Sequence, residues 1–166
     1  MTEISWPHRI VTSAPRKLVG QHLTMSLADN HTFRLWQQFR SLQQRITNPV
    51  SADLFSVQIY PNGFDFTFST LHSSFVKWAA IEVLDFQSVP PEMSTLDLPG
   101  GLYAVFNYQG LPTDPRIFRY IYGEWLPNSP TYTLDHRPHF EILGNLYRHN
   151  DPQSEEEIWI PIKTKA

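Results

Sequence analysis

The sequence repeats one order of secondary-structure elements on either side of a proline break, Val89-Pro90-Pro91. Before the break, periodicity and turn residues predict strands at 9–12 and 18–25, a helix at 31–46, and strands at 54–60 and 77–86. After it they predict strands at 95–98 and 102–108, a helix from residue 114, and strands at 132–143 and 157–163. We therefore expect an α+β fold with a pseudo-twofold relation between the halves, in which an antiparallel sheet carries both helices on one side.

Local signals mark the ends of the two helices and one irregular strand. Asp29 or Asn30 is expected to cap the first helix. Asp114, which a proline follows, is expected to cap the second helix, and Pro127 is expected to end it. Gly20 interrupts the second strand, where it predicts a bend or a bulge.

Composition limits the classes of function. The chain has 166 residues, of which 41% are hydrophobic and 17% charged, and this predicts a single domain over residues 1–166. Its 13 Lys and Arg residues against 16 Asp and Glu residues leave no excess positive charge for direct nucleic-acid binding. No apolar run approaches the roughly 20 residues that span a bilayer, and the first residues lack a leader pattern. We expect a cytoplasmic protein that binds neither nucleic acid nor a membrane.

No standard catalytic or cofactor motif stands in the sequence. It has no cysteine, and no His-Glu-x-x-His, Gly-x-Ser-x-Gly, phosphate-loop or dinucleotide pattern. His136 and His139 lie near each other, but Pro138 between them excludes a helix, so we interpret them as two partly exposed strand-edge histidines. The run from Glu155 to Glu157 predicts a solvated loop without chemistry. We expect no cofactor, no metal, and binding rather than catalysis.

Two glutamates interrupt apolar strands and leave two interpretations open. Glu82 and Glu141 each stand between two apolar residues. In a half-buried strand the apolar neighbours face the core and the glutamate faces water. Alternatively, one carboxylate faces an aromatic groove, where a ligand cation or hydrogen bonds must offset its desolvation. Aromatic residues make up 14% of the chain, and Trp36 and Phe39, at helical spacing, fit either a core or a pocket.

Two stretches carry the pattern of one known family. The first is Leu-Pro-Gly-Gly-Leu-Tyr-Ala-Val-Phe at 98–106, and the second runs from Trp125 through Arg-Pro-His-Phe-Glu-Ile-Leu at 137–143 to Ile-Trp-Ile-Pro-Ile at 158–162. Lys-Trp-Ala-Ala-Ile-Glu-Val at 77–83 fits the same pattern. Together they resemble the GyrI-like family, the effector-binding domain of AraC- and MerR-type bacterial transcription regulators. The resemblance covers nearly the whole chain after the first few residues.

The resemblance implies two β-α-β-β modules that are related by a pseudo-twofold axis and have a ligand groove between them. It also implies that the glutamate of the Phe-Glu pair, here Glu141, points into that groove, and it gives no such support to Glu82. Carried over by position on the helices and central strands, the expected aromatic lining consists of Trp36, Phe39, Tyr60, Tyr120 and Trp159, with Trp78 and Tyr103 as further members. Core packing is the alternative for each of these rings.

The resemblance also implies a domain that binds small amphipathic molecules, in particular cationic aromatic ones. No helix-turn-helix segment precedes the strand-like sequence from Arg9, so we expect a stand-alone binding or sequestering module, or a sensor that acts through a separate regulator. One alternative is a hydrolase of cyclopropane-containing toxins, with Glu141 as general base and Trp159 or Tyr120 holding the substrate. Another is a protein partner role such as inhibition of DNA gyrase.

Overall fold

Nine antiparallel strands form the sheet of this protein, for which the computed structural model describes residues 6–66 and 71–166. The strands are β1 (His8–Ser13), β2 (Arg16–Met25), β3 (Pro49–Ile59), β4 (Phe75–Val83), β5 (Ser94–Leu98), β6 (Gly101–Gln109), β7 (Tyr132–Leu134), β8 (His139–Leu143) and β9 (Glu155–Thr164). Residues 1–5, where a leader pattern would begin, lie outside the described residues.

Two helical segments pack on one face of the sheet. They are α1 (Thr32–Leu42) with a 3-10 turn (Gln43–Arg45), and a second segment made of α2 (Arg116–Tyr120), a π-helical turn (Ile121–Trp125) and α3 (Leu126–Asn128). The first packs Leu35 and Phe39 against β2 and β4. The second packs Ile117 and Ile121 against β6 and β9. This side is the helix-bearing face.

The strand order divides the sheet into two equivalent halves. The order is β1-β6-β9-β8-β3-β4-β2-β5, with β7 beside β9. From the central β3–β8 pair, β4 and β2 follow on one side as β9 and β6 follow on the other. Each half is therefore one β-α-β-β module, β2-α1-β3-β4 or β6-α2-β8-β9, and the pseudo-twofold axis passes between β3 and β8. This confirms the predicted α+β fold.

The outermost strands are exchanged between the modules. Strand β1 precedes the first module in the chain but pairs with β6 of the second. Strand β5 precedes the second module but pairs with β2 of the first. Each module is therefore completed by a strand from the other half of the chain.

The face opposite the helices holds its own apolar cluster. Leu98 of β5, Tyr103 of β6 and Val11 of β1 belong to the same cluster as Phe55 of β3 and Phe140 of β8. Strands from both ends of the sheet thus contribute to one core, which requires the sheet to curve around it.

Both helices begin slightly later than predicted. The N-cap residues are His31 and Pro115, and neither helix has a side-chain cap hydrogen bond, so the predicted capping residues are wrong. Asn30 Oδ1 and Asp114 Oδ1 instead each accept a hydrogen bond from the backbone N–H two residues on, at 2.9 and 3.0 Å, just before the helix proper. The prediction that Pro127 ends the second helix is wrong. A new α-helical segment begins at Leu126, and proline is tolerated in a first turn because its missing N–H has no helical partner there.

The strand predicted at 132–143 is divided into β7 and β8 by a turn at 135–138. The turn brings the Arg137 guanidinium to the carbonyl oxygens of Gly100, Leu102 and Ile162, at 3.3, 2.5 and 3.0 Å. The Arg137 Nε atom also donates to Asp135 at 2.7 Å. These bonds join the turn to β6 and β9. The bend that allows them interrupts the strand.

Gly20 lies in a continuous ladder, so the predicted bulge is wrong. It pairs directly with Ala80 of β4, and the register is regular along β2. A Cβ atom built at Gly20 would lie 2.0 Å from the Ala79 carbonyl oxygen. Glycine is needed here because two backbones approach closely.

We expect Gly20→Ala to lower the free energy of unfolding by on the order of 2 kcal/mol or more, because the added methyl group must push strand backbone apart. Urea denaturation measures this. The matched control is Gly123→Ala on the second helical segment, where a built Cβ meets nothing within 4 Å and the gain in helix propensity is about 0.5 to 1 kcal/mol. Equal effects of the two substitutions would contradict the close-approach explanation.

Candidate functional site

Glu141 lies at the centre of the helix-bearing face, between the two helical segments. On β8 it pairs with Ser56 of β3 and Ile158 of β9. Directly opposite residues of antiparallel strands share a face, and Ile158 belongs to the apolar cluster beneath the second helical segment. The Glu141 side chain therefore points toward the helices and away from the curved inner core.

Polar and charged residues on four adjacent strands surround Glu141. Lys77 of β4 lies opposite Gln58 of β3, which in turn lies opposite His139 of β8. Glu156 is two residues before Ile158 on β9 and so projects from the same face. These residues form what we call the central groove: Ser56, Gln58, Lys77, His139, Glu141 and Glu156.

Burial raises the pKa of Glu141 from its ordinary 4.5 to about 7. The positive charge of Lys77 and a hydrogen bond from Gln58 lower the pKa again, but only in part. The Gln58 Nε2 atom also donates to Ser56 Oγ at 3.1 Å. Glu141 is nevertheless only partly buried, so its carboxylate can be reached from solvent.

Glu156 and Lys77 complete a group of two carboxyls and one ammonium. Burial and the charge of Glu141 raise the pKa of Glu156 to about 8. Burial lowers the pKa of Lys77 against the attraction of both carboxylates, and its Nζ atom donates to Thr32 Oγ1 at 3.3 Å. A single lysine cannot neutralise two carboxylates, so both carboxyls titrate near neutral pH.

Four rings border Glu141 where β3 and β8 lie side by side, and we call them the ring cluster: Tyr60, Phe66, Tyr122 and His139. The Phe66 ring centroid lies 4.6 Å from Tyr122, 4.7 Å from Tyr60 and 5.2 Å from His139. Burial raises the pKa of Tyr60 and Tyr122, and the negative charge of Glu141 adds to both increases. The carboxylate and the ring hydroxyls are thus electrostatic neighbours.

His139 is a neutral, buried member of the ring cluster. It is 4% exposed, because β8 has neighbouring strands on both sides, so its interpretation as a partly exposed strand-edge residue is wrong. Its Nδ1 atom shares a hydrogen bond of 2.7 Å with the Tyr122 hydroxyl. Burial lowers its pKa to about 3, which keeps the imidazole uncharged near pH 7 and free of repulsion toward a cation. His136 lies apart from it, exposed in the turn.

Of the rings expected around Glu141, Tyr60 lies beside it. The two rings on α1, Trp36 and Phe39, differ in their surroundings. Trp36 is partly buried and packs at the margin of the cluster beneath α1. Phe39 is fully buried in that cluster, with its ring centroid 5.8 Å from Trp36. Phe39 is therefore a core residue of the first module.

Three of the expected rings lie on the opposite face of the sheet. Trp78, Tyr103 and Trp159 belong to the curved inner core, and Trp159 stacks on Phe140 at a centroid distance of 5.1 Å. Phe140 and Glu141 are adjacent in β8, so their side chains point to opposite faces. The structure does not bring these three rings to Glu141. Glu82 shares that face, and Arg16 pairs with it at 2.9 Å.

Tyr120 faces a separate depression, which we call the outer groove. It is an open cavity of about 900 Å³ between β1 and the second helical segment. The Tyr120 ring centroid lies 5.1 Å from that of Trp6. The outer groove is lined by Trp6, His8, Ile10, Arg116, Arg119, Tyr120, Gly123, Glu124, Trp125 and residues 128–132.

Neither metal binding nor a membrane-crossing helix marks the described part of the chain. Within residues 6–66 and 71–166, no group of three or more His, Cys, Asp or Glu residues could hold a metal ion. No helix in these ranges is long and apolar enough to cross a membrane.

The model of the GyrI-like small molecule binding domain matches residues 7–163. The chain belongs to the GyrI-like family. The curated proteins contain no match to it.

Solved structures share the fold of this GyrI-like domain at low identity. SAV2435 bound to tetraphenylphosphonium is 19% identical, with a TM-score of 0.68 over 95% of this chain and 94% of that one. The EcmrR C-terminal domain is 10% identical, with a TM-score of 0.71 over 98% and 100%. A hydrolase from Listeria innocua is 9% identical, with a TM-score of 0.59 over 94% and 91%.

Sequence reasoning missed several of the residues that lie around Glu141. Glu156 was assigned to a solvated loop, but it lies on β9, where the alternation with the isoleucines at 158, 160 and 162 could have revealed its face. The same period-2 reading connects Lys77 to Ala79 and Ile81. Tyr122 lies in the predicted second helix, where helical spacing alone does not distinguish a core ring from a ring beside Glu141. Phe66 lies in a polar connection, where no periodic signal exists.

The GyrI-like groove carboxyls should make stability depend on pH. A carboxyl whose pKa is raised in the folded state contributes stability that is full below its ordinary pKa and is lost as pH rises through the folded value, here about 7 for Glu141 and about 8 for Glu156. Glu156→Gln should therefore leave stability nearly unchanged at pH 5 and raise it by on the order of 2 kcal/mol at pH 8.5.

Urea unfolding of wild type and variant at both pH values measures this difference. Glu155→Gln is the matched control, because Glu155 is the exposed neighbour on the same strand. A stability difference that stays constant from pH 5 to pH 8.5 would contradict the raised pKa of Glu156.

Proposed function

We propose that the central groove binds amphipathic aromatic cations, and that this GyrI-like domain captures such molecules or senses them for a transcription regulator. The observation that carries the proposal is the partly exposed Glu141 carboxylate beside the ring cluster. A negative charge next to stacked rings is the combination that recognises organic cations, because ring faces and carboxylate both attract positive charge.

A bound cation should be electrostatically favourable in the central groove. Without a ligand, the two carboxyls share only the ammonium of Lys77, and burial favours their protonated forms. A bound cation supplies the missing positive charge in a site that water solvates poorly, so the ionised carboxylate becomes favourable. Ligand and proton therefore compete for the same carboxylate.

The rings offer affinity without strict shape requirements. Stacking and cation–π contacts are worth roughly 0.5 to 2 kcal/mol each, so several of them together with one charge pair reach about micromolar affinity. The rings of the cluster already touch one another, and a guest that enters must separate Phe66 from Tyr122 and His139. Ring contacts with the ligand then replace ring contacts within the protein, which favours a range of aromatic guests.

The structural neighbours support the same class of ligand. SAV2435, which shares the fold over 95% of this chain, is bound to tetraphenylphosphonium, an aromatic cation. EcmrR, whose C-terminal domain shares the fold, is also known in complex with DNA. This supports a sensor role in which the ligand signal reaches DNA through a regulator.

Glu141→Gln should weaken tetraphenylphosphonium binding by on the order of 2 to 4 kcal/mol, the range for removing one partner of a buried charge pair. The substitution keeps the shape of the side chain and removes its charge. Isothermal titration calorimetry measures the affinity, with Glu155→Gln as the control variant and the neutral triphenylphosphine oxide as the control ligand. Unchanged tetraphenylphosphonium affinity in Glu141→Gln would overturn the assignment of Glu141.

The affinity for tetraphenylphosphonium should rise from pH 6 to pH 8.5. This ligand has a fixed charge, so the dependence reports the protein, whose groove carboxyls have pKa values of about 7 and about 8. A cation favours the ionised carboxyl, so binding should release protons in this window. Titrations in buffers with different ionisation enthalpies count the released protons. A flat profile in wild type, or the same slope in Glu141→Gln, would contradict the competition between ligand and proton.

A further inference from the structure

The outer groove is a second cavity with the lining of a ligand site. Its volume of about 900 Å³ lies within the range of about 300 to 1,000 Å³ that small-molecule sites occupy. Partly buried rings from two separate parts of the chain meet in it, since Trp6 precedes β1 while Tyr120 and Trp125 lie on the second helical segment. The rings present edges and faces at which a flat molecule can stack.

The rings of the outer groove are held in place from below. The Trp125 ring centroid lies 5.1 Å from His8 and 5.2 Å from Phe106, and His8 stacks on Phe106 at 5.2 Å. Phe106 is fully buried, so it is a fixed base for the two rings above it. A stacking surface that is rigid before a ligand arrives loses little conformational entropy on binding.

A glycine keeps the outer groove open. Gly123 lines the cavity, and a Cβ atom built on it meets no atom within 4 Å. Its backbone is helical, where glycine is less favourable than alanine by about 1 kcal/mol. No close contact explains the glycine, and any larger side chain at this position would extend into the cavity.

The π-helical turn separates the two grooves. It spans Ile121–Trp125, and such turns occur frequently at functional sites. Tyr122 on this segment joins the ring cluster of the central groove through His139, whereas Tyr120 and Trp125 line the outer groove. One helical segment thus supplies aromatic residues both to the ring cluster and to the outer groove.

The charge at one end of the outer groove is positive. Arg116 and Arg119 lie three residues apart, and residues at this spacing are neighbours on one helix face. Asp114 binds the Nε and Nη2 atoms of Arg116, which leaves Nη1 as a free donor among the described residues. In the same part of the chain no hydrogen bond or ion pair engages the side chain of Arg119, although its charge helps to lower the pKa of Asp114. Glu124 also lines the outer groove.

We propose that the outer groove is a second ligand site, independent of the central groove, and that it takes a planar aromatic molecule with a carboxylate or sulfonate group. The ring system stacks on Trp6, Tyr120 and Trp125. The anionic group binds the guanidinium of Arg119 and the free donor of Arg116, a geometry that suits the two oxygens of a carboxylate.

The test uses 2-naphthoate as the probe on the full chain, followed by nitrogen-15 NMR. The five tryptophans each give one indole N–H signal, and the signals of Trp6 and Trp125 should shift in a saturable way, with a Kd of about 1 mM or tighter. The signals of Trp78 and Trp159, in the inner core on the opposite face, should not move. Arg119→Gln should weaken binding about tenfold, and Gly123→Phe, which fills the cavity, should abolish it.

Glu141→Gln should bind 2-naphthoate with unchanged affinity, and Gly123→Phe should bind tetraphenylphosphonium like wild type, which also verifies that the variant folds. Arg119 is exposed, so its replacement tests the site without a packing change. The proposal is overturned if no saturable shift occurs up to a probe concentration of about 10 mM, which is roughly ten times the expected Kd. It is also overturned if both outer-groove variants bind 2-naphthoate normally, or if Glu141→Gln abolishes binding.

Discussion

The antiparallel pairing of β3 with β8 is the contact on which the central groove depends. It joins the two modules at the pseudo-twofold axis, and its register puts Ser56 opposite Glu141. The helices of the two modules lie to either side, and the central strands bring polar residues to the middle of this face. A shift of this register by one residue would move Glu141 to the inner core and Phe140 to the groove.

The ionisable side chains near the pseudo-twofold axis differ between the two modules, although the backbone fold of the modules is equivalent. Strands β4 and β9 are equivalent in the two modules, yet β4 contributes Lys77 to the groove and β9 contributes Glu156. The result is one ammonium and two carboxyls in a poorly solvated site, with pKa values near 7 and 8 for the two carboxyls. A symmetric scaffold thereby holds an asymmetric set of ionisable groups.

Local patterns in the sequence predicted the element order and the family. They did not predict on which face of the sheet a given side chain lies. Trp159 lies three residues after Glu156 in β9, so alternation puts them on opposite faces, but the pairing with β8 is needed to show which of the two faces is the inner core. Burial of His139 likewise follows from strand order, which no local pattern encodes. Phe66 reaches the ring cluster through a tertiary contact alone.

The exchange of β1 and β5 between the modules has a consequence for how the chain folds. The ladder that closes one edge of the sheet joins His8 to Phe106, so neither half can finish its own sheet until residues from the other half have been made and brought into place. Such long loop closures slow folding and bind it into a single cooperative event. If the chain were cut at the proline break, each fragment would carry the edge strand of the other, and native structure would return only when the two fragments reassembled.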